Sequence, residues 1–348
     1  MTEYYAIGVM SGSSLDGLDV CLCRFTKGQN WSFDLIKGET ITIPEEITPQ
    51  LKQADQLDGL DLALLDIRYG QWIGNQIKAF QKDSSFPISV IGVHGHTVFH
   101  LPQEHLSVQI GNAEAVCVST QIPTVGGFRG MDVLMGGQGA PLVPFGENQL
   151  LRDYSAFVNL GGIANVSVHT EQISAWDVAP CNQILNHFAK QLGHDFDHGG
   201  QLAASGRIDE QWLTYLRGLA YFQLSPPKSL SNQWSAEVLK KTPQNPVDGL
   251  YTYSHFLAEQ LANNLSKVNG KVMITGGGAY NHFLIQLLKE KVALELEMII
   301  PSPELINFKE ALIFAFLGLM RALHLPNVFA SVTGSQKDTV SGTLHLPG

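Results

Sequence analysis

Two strand–turn–strand units, each built around a turn of small residues, occur once in each half of the chain. In the first, residues 4–9 read as a strand that runs into Met10-Ser11-Gly12-Ser13-Ser14-Leu15-Asp16-Gly17, and residues 18–25 read as the returning strand. In the second, residues 155–160 lead into Gly161-Gly162-Ile163-Ala164-Asn165 and return at residues 166–169. Small-residue turns let a ligand come close to the backbone and meet inward-pointing N–H groups. Two such turns, one per half, suit a polyphosphate held between two lobes. Phosphoryl transfer is therefore the first chemistry to consider.

The rest of the chain narrows the class. At 348 residues two domains are expected, and 44% apolar residues suffice for two cores. The 34 glycines cluster in short turns, not in a low-complexity tract. A net charge of -10 without a basic block argues against nucleic acid or an anionic membrane as partner. The N-terminus runs directly into a strand, so no leader peptide is expected. The longest apolar stretch, residues 311–320, is too short to span a bilayer. These features together predict a cytoplasmic protein. Cys21, Cys23, Cys117 and Cys181 lack CxxC spacing, so neither a zinc site nor a disulfide framework is signalled.

Element order repeats as well. Residues 4–9, 18–25 and 31–43 read as strands, 44–56 and 60–81 as helical, 87–93 as a buried strand, 113–120 as a helix and 123–125 as a strand. The stretch 126–144 has no clear period, and the lobe boundary is placed at its start. After it come strands at 156–160, 166–169 and 173–178, and helices at 182–192, 236–241 and 250–268. A buried strand at 271–275, a helix at 281–291 and a final helix at 308–324 complete the chain. The expected division is a lobe of residues 1–125 carrying the first phosphate loop and a lobe of residues 126–348 carrying the rest. The common order suggests a duplication.

Several residues could carry chemistry. Gly12, Ser13 and Ser14 offer N–H and O–H donors to a phosphate chain, and Asp16 and Asp19 could orient Mg²⁺ through water. The same segment also reads as a plain hairpin with an Asp-Gly turn. Gly276-Gly277-Gly278, between a buried strand and a helix, matches a nucleotide-site turn but not a dinucleotide fingerprint. Asp177 ends a strand before a rigid Ala-Pro turn, where it would serve either as a general base or as the cap of the next helix. Arg129 and Asp132 precede Gly136-Gly137-Gln138-Gly139; the arginine would grip an anionic substrate, or the pair would stiffen the loop. His94, His96 and His100 have irregular spacing and no cysteine or carboxylate companions, which argues against a metal. A substrate, interface or structural role suits His96 better. Glu310, near the start of the last helix, either favours the helix dipole or points to ligand.

Taken together these segments resemble the anhydro-N-acetylmuramic acid kinases. The resemblance is carried by Gly8-Val-Met-Ser-Gly-Ser-Ser-Leu-Asp-Gly-Leu-Asp19, Gly92-Val-His-Gly-His-Thr-Val-Phe-His100, Gln109-Ile-Gly-Asn112, Phe128-Arg129 with Asp132, and Gly136-Gly-Gln-Gly-Ala-Pro-Leu-Val-Pro144. It continues through Asn159-Leu-Gly-Gly-Ile-Ala-Asn-Val166, Gly276-Gly-Gly-Ala-Tyr-Asn281 and Lys309-Glu-Ala311, so it spans the chain.

It implies an α/β, two-lobed actin/hexokinase-like fold, a duplicated ribonuclease-H-like design with a nucleotide cleft between the lobes. It implies ATP and Mg²⁺ as cofactors and an amino-sugar substrate, used in cell-wall recycling. The implied reaction opens the 1,6-anhydro bond with water and phosphorylates the six-position oxygen. By this resemblance Asp177 is the general base. The nucleotide meets Gly12, Ser13, Ser14, Leu15, Asp16, Gly17, Leu18 and Asp19 in the first loop, Gly161 and Gly162 in the second, and Gly276, Gly277 and Gly278 on the adenosine side. His96, Arg129, Asp132 and Glu310 line the sugar side. No protein-built metal site is implied, since Mg²⁺ is held mainly through ATP and water.

The chain departs from the family pattern after the base. The usual Asp-Thr-Gly-Pro-Gly-Asn is here Asp177-Val-Ala-Pro-Cys-Asn182. Pro227-Lys228-Ser229 is kept, but Ser231-Asn232-Gln233-Trp234 follows where an Arg-Glu-like stretch is common. Two alternatives are a kinase of another sugar and a non-catalytic actin-like nucleotide-binding regulator. The sequence leaves a homodimer open.

Overall fold

A computed structural model shows two compact units, Met1–Arg152 with Phe308–Gly348, and Asp153–Asn307. The structure describes residues 1–12, 15, 17–82, 84–226, 228–230 and 234–348. Ser13, Ser14 and Asp16, expected at the phosphate loop, lie outside the described residues.

In the first unit, β1 (Thr2–Ser11), β2 (Leu18–Lys27) and β3 (Trp31–Ile41) form an antiparallel meander. β4 (Ile88–Val93) joins β1 in parallel, and this pairing needs a crossover, supplied by the helix Gly59–Phe80. That helix starts where the Asp58 carboxylate accepts from the Asp61 N–H at 2.9 Å, an N-cap that satisfies an otherwise orphan donor. A small hairpin, β5 (His96–Leu101) and β6 (Leu106–Ile110), and the helix Ala113–Thr120 then carry the chain to β7 (Thr124–Gly126), again parallel to β4. Ile7, Val9, Val20, Leu22, Ile73, Ile77 and Ile91 form the core between sheet and helix.

The second unit repeats this plan. β8 (Ala156–Leu160), β9 (Ile163–His169) and β10 (Ile173–Pro180) make the antiparallel meander. β11 (Gly270–Thr275) adds in parallel to β8, and β12 (Leu296–Ile299) in parallel to β11. The strand order β10-β9-β8-β11-β12 matches β3-β2-β1-β4-β7 of the first unit, which has β13 (Thr343–His345) added antiparallel at its edge. Equal order and equal directions make each unit a ribonuclease-H-like sheet, and the chain a duplication of it. The second core gathers Phe188, Trp212, Tyr253 and Phe256 from helices Asn182–Gln191, Glu210–Arg217 and Pro246–Leu265. No helix among the described residues is long and apolar enough to cross a membrane.

The expected boundary at residue 126 is not where the units divide. The first unit extends to Arg152 and resumes at Phe308, inside the helix Pro303–Ala322. The reason is close packing across glycines. A Cβ at Gly8 would sit 1.8 Å from the Ala311 carbonyl oxygen, and one at Gly92 2.0 Å from that of Phe314. Glycine on β1 and β4 thus lets the helix backbone lie directly on the sheet. The stretch that showed no period, 126–144, contains the short helix Gly130–Leu134 and runs into the helix Val143–Leu150.

Candidate active site

In the first unit the chemistry gathers around Arg129. Its guanidinium donates to His94 Nε2 from Nε at 3.2 Å and Nη2 at 3.0 Å, and to the Gly139 carbonyl from Nη1 at 3.2 Å. For His94 to accept there, Nδ1 must carry the ring proton, and it donates to the Gly95 carbonyl at 2.9 Å. Burial, followed by the nearby Arg129 charge, pushes the His94 pKa down to about 3, so the ring stays neutral. Burial also lowers Arg129 to about 10, and the Glu310 carboxylate opposes this. Glu310 is itself raised by burial, with Lys309 acting against the rise and Asp19 adding to it. His96 is buried, and its Nδ1 has no hydrogen-bond partner among the described residues. His94, His96, Arg129, Glu310 and Asp19 therefore form one electrostatic group within this unit. A cavity of about 230 Å³ opens beside His94 at the ends of β4 and β7, lined also by Asp66, Gln109 and Asn112.

Three of the expected site residues have structural partners of their own. Asp132 is wholly buried, and both its oxygens are engaged at 2.7 Å, one by the Gly139 N–H and the other by the Thr333 hydroxyl. It holds the loop whose Gly139 carbonyl accepts from Arg129. Leu15 and Leu18 have their side chains in the core of this unit. Asp19 accepts from the Thr40 hydroxyl at 2.6 Å.

In the second unit the register supplies what the motifs did not. Asp177 pairs with Asn165, Asn165 with Asn159, and Asn159 with Thr275. Directly opposed residues share a face, so this is one polar row across four strands. A β-bulge between Asp177 and Ala179 interrupts the β10 register there, the kind of irregularity that re-aims a side chain. Asp177 Oδ2 accepts from the Leu230 N–H at 2.8 Å, and its backbone carbonyl accepts from the Tyr221 hydroxyl at 2.7 Å. Burial raises its pKa against that Leu230 bond. It does not cap the next helix, whose N-cap is Cys181 with no side-chain cap. Lys228, over the Tyr221 ring at 4.6 Å, accepts the Asp177 N–H on its carbonyl at 3.0 Å.

The two glycine turns of this unit converge on Asn182. Its Nδ2 donates to the Leu160 carbonyl at 2.9 Å, its N–H reaches the Gly161 carbonyl at 3.1 Å, and Cys181 N–H reaches that of Gly162 at 2.7 Å. The carbonyls of Gly161 and Gly162 thus face the helix start. Gly276 (φ +81°) and Gly278 serve packing, since a Cβ on either would come within 2.9 Å of Leu160. Gly162 and Gly277 are exposed, with nothing closer than 3.4 Å to a notional Cβ. Thr275 Oγ1, buried at the end of β11, has no hydrogen-bond partner among the described residues. An orphaned hydroxyl beside two open glycines fits a phosphate-bearing ligand.

The family model for anhydro-N-acetylmuramic acid kinase matches residues 4–347. The chain belongs to the anhydro-N-acetylmuramic acid kinase family. Relatives of that name from Bacillus cereus and Bacillus thuringiensis are each 30% identical, over 99% and 100% of both chains. Among solved structures, the chain is similar to component A of the (R)-2-hydroxyglutaryl-CoA dehydratase of Acidaminococcus fermentans, at 13% identity and TM-score 0.47, covering 92% of this chain and 99% of that one. A ROK hexokinase from Thermus thermophilus aligns at 11% identity and TM-score 0.40, covering 90% and 99%.

Membership makes the chain a kinase and gives the departure after Asp177 its meaning. Val178, Ala179 and Cys181 are all fully buried. The three changed side chains pack into the second core, and burial pushes the Cys181 thiol up to about 12, so it stays an inert thiol. Cys181→Gly is therefore expected to cost about 1 kcal/mol of stability, from lost packing and added chain freedom. Steady-state kinetics should show unchanged kcat/KM; a large change would place Cys181 at the ligand.

Proposed function

We propose that this chain opens the 1,6-anhydro ring of anhydro-N-acetylmuramic acid with water and phosphorylates it to N-acetylmuramic acid 6-phosphate, acting in the cytoplasm in cell-wall recycling. The observation that carries the reading is Asp177, a half-buried carboxylate at a bulge, held by one oxygen. Among the described residues the other oxygen has no hydrogen-bond partner. That leaves a base that can take a proton from water; a kinase acting on a free hydroxyl would use it on that hydroxyl, and the mass of the product separates the two.

Asp177 takes the proton from water as the water oxygen bonds to the anomeric carbon. The bond from that carbon to the six-position oxygen breaks, and the freed oxygen would bond to the γ-phosphorus as the bond from phosphorus to the bridging oxygen breaks and ADP leaves. Bound ATP with Mg²⁺ supplies the phosphoryl group and the charge neutralisation that phosphoryl transfer mainly requires. Backbone N–H groups at Gly161, Gly162 and Gly277 hold the phosphates, with the Thr275 hydroxyl completing the set. Arg129, kept cationic beside neutral His94, attracts the sugar's carboxylate. His96 offers its Nδ1, unpartnered among the described residues, and Glu310 accepts from a sugar hydroxyl.

Incubation with ATP, Mg²⁺ and the anhydro sugar tests this. ADP and a sugar phosphate should form together, and chelating Mg²⁺ should stop both. ADP release that is indifferent to the anhydro sugar would point to another acceptor.

A further inference from the structure

Lys309 and Glu147 form an ion pair of 2.7 Å, with each side chain only 3% exposed. Burying two charges costs desolvation that their attraction barely offsets, so such a pair seldom exists for stability. Its place in the first unit suggests a different use. Lys309 lies on the helix Pro303–Ala322 immediately before Glu310, and Glu147 on the helix Val143–Leu150. The two helices touch closely, since a Cβ on Gly146 would lie 2.7 Å from Ile313. On the sheet side, Gly38 receives the Phe308 ring and Gly8 the Ala311 carbonyl. The turn that carries Glu310 is thus held by close packing on one side and by the Lys309–Glu147 contact on the other.

We propose that the buried Lys309–Glu147 pair is a positioning element that sets the place and charge of Glu310 beside Arg129. This rests on the reading of Glu310 as a carboxylate that meets the sugar. Among the described residues the charged groups that act on Glu310 are Lys309 on its own helix, Asp19 from β2, Glu147 from Val143–Leu150, and Arg129 at the start of Gly130–Leu134. Lys309 and Arg129 favour its ionised form, while burial, Asp19 and Glu147 oppose it, and Lys309 acts more strongly than Glu147. Removing the pair therefore raises the pH at which Glu310 ionises, whereas neutralising Glu147 alone lowers it.

The experiment uses the full chain labelled with ¹³C-carboxyl glutamate, its Glu310 signal assigned with Glu310→Gln. Lys309→Met with Glu147→Leu removes both charges of the pair together, and Glu147→Gln is the partner variant. Glu310 should titrate at higher pH than in the parent chain in the double variant and at lower pH in Glu147→Gln. In the double variant kcat/KM for the sugar should fall roughly 10–100-fold through misplacement of the carboxylate, while nucleotide still binds. Unmoved titration in both folded variants would overturn the proposal, whatever the parent chain turns over. Opposite shifts in a chain that proves inactive on the anhydro sugar would uphold the pair's control of Glu310 and sink the proposed function instead.

Discussion

Asp177→Asn is expected to lower kcat for sugar phosphorylation about 10²–10⁴-fold, the range that a positioned general base contributes. Asparagine has nearly the same shape, and its side-chain oxygen still accepts from the Leu230 N–H, so the β10 bulge and the Tyr221 contact persist. What is lost is the ability to take a proton from water. Nucleotide affinity, measured by calorimetry, should be unchanged, because the glycine turns at 161–162 and 276–278 are untouched. The parent enzyme should also lose activity on acidification at a pH above the ordinary carboxylate range, since burial raises Asp177 and protonation removes the base. Turnover near the parent rate in Asp177→Asn would refute the mechanism.

Gly92→Ala is expected to destabilise the first unit by about 3 kcal/mol, at the upper end of overpacking costs. The added methyl would meet the Phe314 carbonyl oxygen at 2.0 Å and its carbon at 2.9 Å, backbone atoms that cannot rotate away. Either the helix lifts off β4 or the sheet bends. The corresponding fall in melting temperature is roughly 10 °C for a unit of this size. Gly59→Ala is the matched control, because nothing lies within 4 Å of its notional Cβ at the start of the helix Gly59–Phe80. It should stabilise by up to about 1 kcal/mol. Equal melting of Gly92→Ala and the parent chain would show that the helix does not rest on that glycine.

Local signals carried well and distant ones did not. The two strand–turn–strand units and the strand before Gly276 were legible because short apolar runs bounded by small residues state their own conformation. The membership of the last helix was not, since it depends on Gly8 and Gly92 meeting residues more than two hundred positions away. The β5–β6 hairpin was missed because its turn is closed by His105 in a left-handed conformation (φ 52°), which no glycine advertises. At the site, Asp177 and Arg129 stood out by residue type, but Asn159 and Asn165 acquire meaning only through the register that aligns them with Asp177. For Asp132 the sequence left a ligand role and a loop-stiffening role open, and the fold shows both its oxygens taken by partners, one of them about two hundred positions away.

The central claim is that one active site joins ring opening to phosphoryl transfer. The most direct measurement is the mass of the product formed from ATP, Mg²⁺ and anhydro-N-acetylmuramic acid in ¹⁸O-labelled water. The account predicts a product heavier than the substrate by one water and one phosphoryl group, with the ¹⁸O on the anomeric carbon. A product heavier by the phosphoryl group alone, or ADP formed with the anhydro sugar left unchanged, would contradict it.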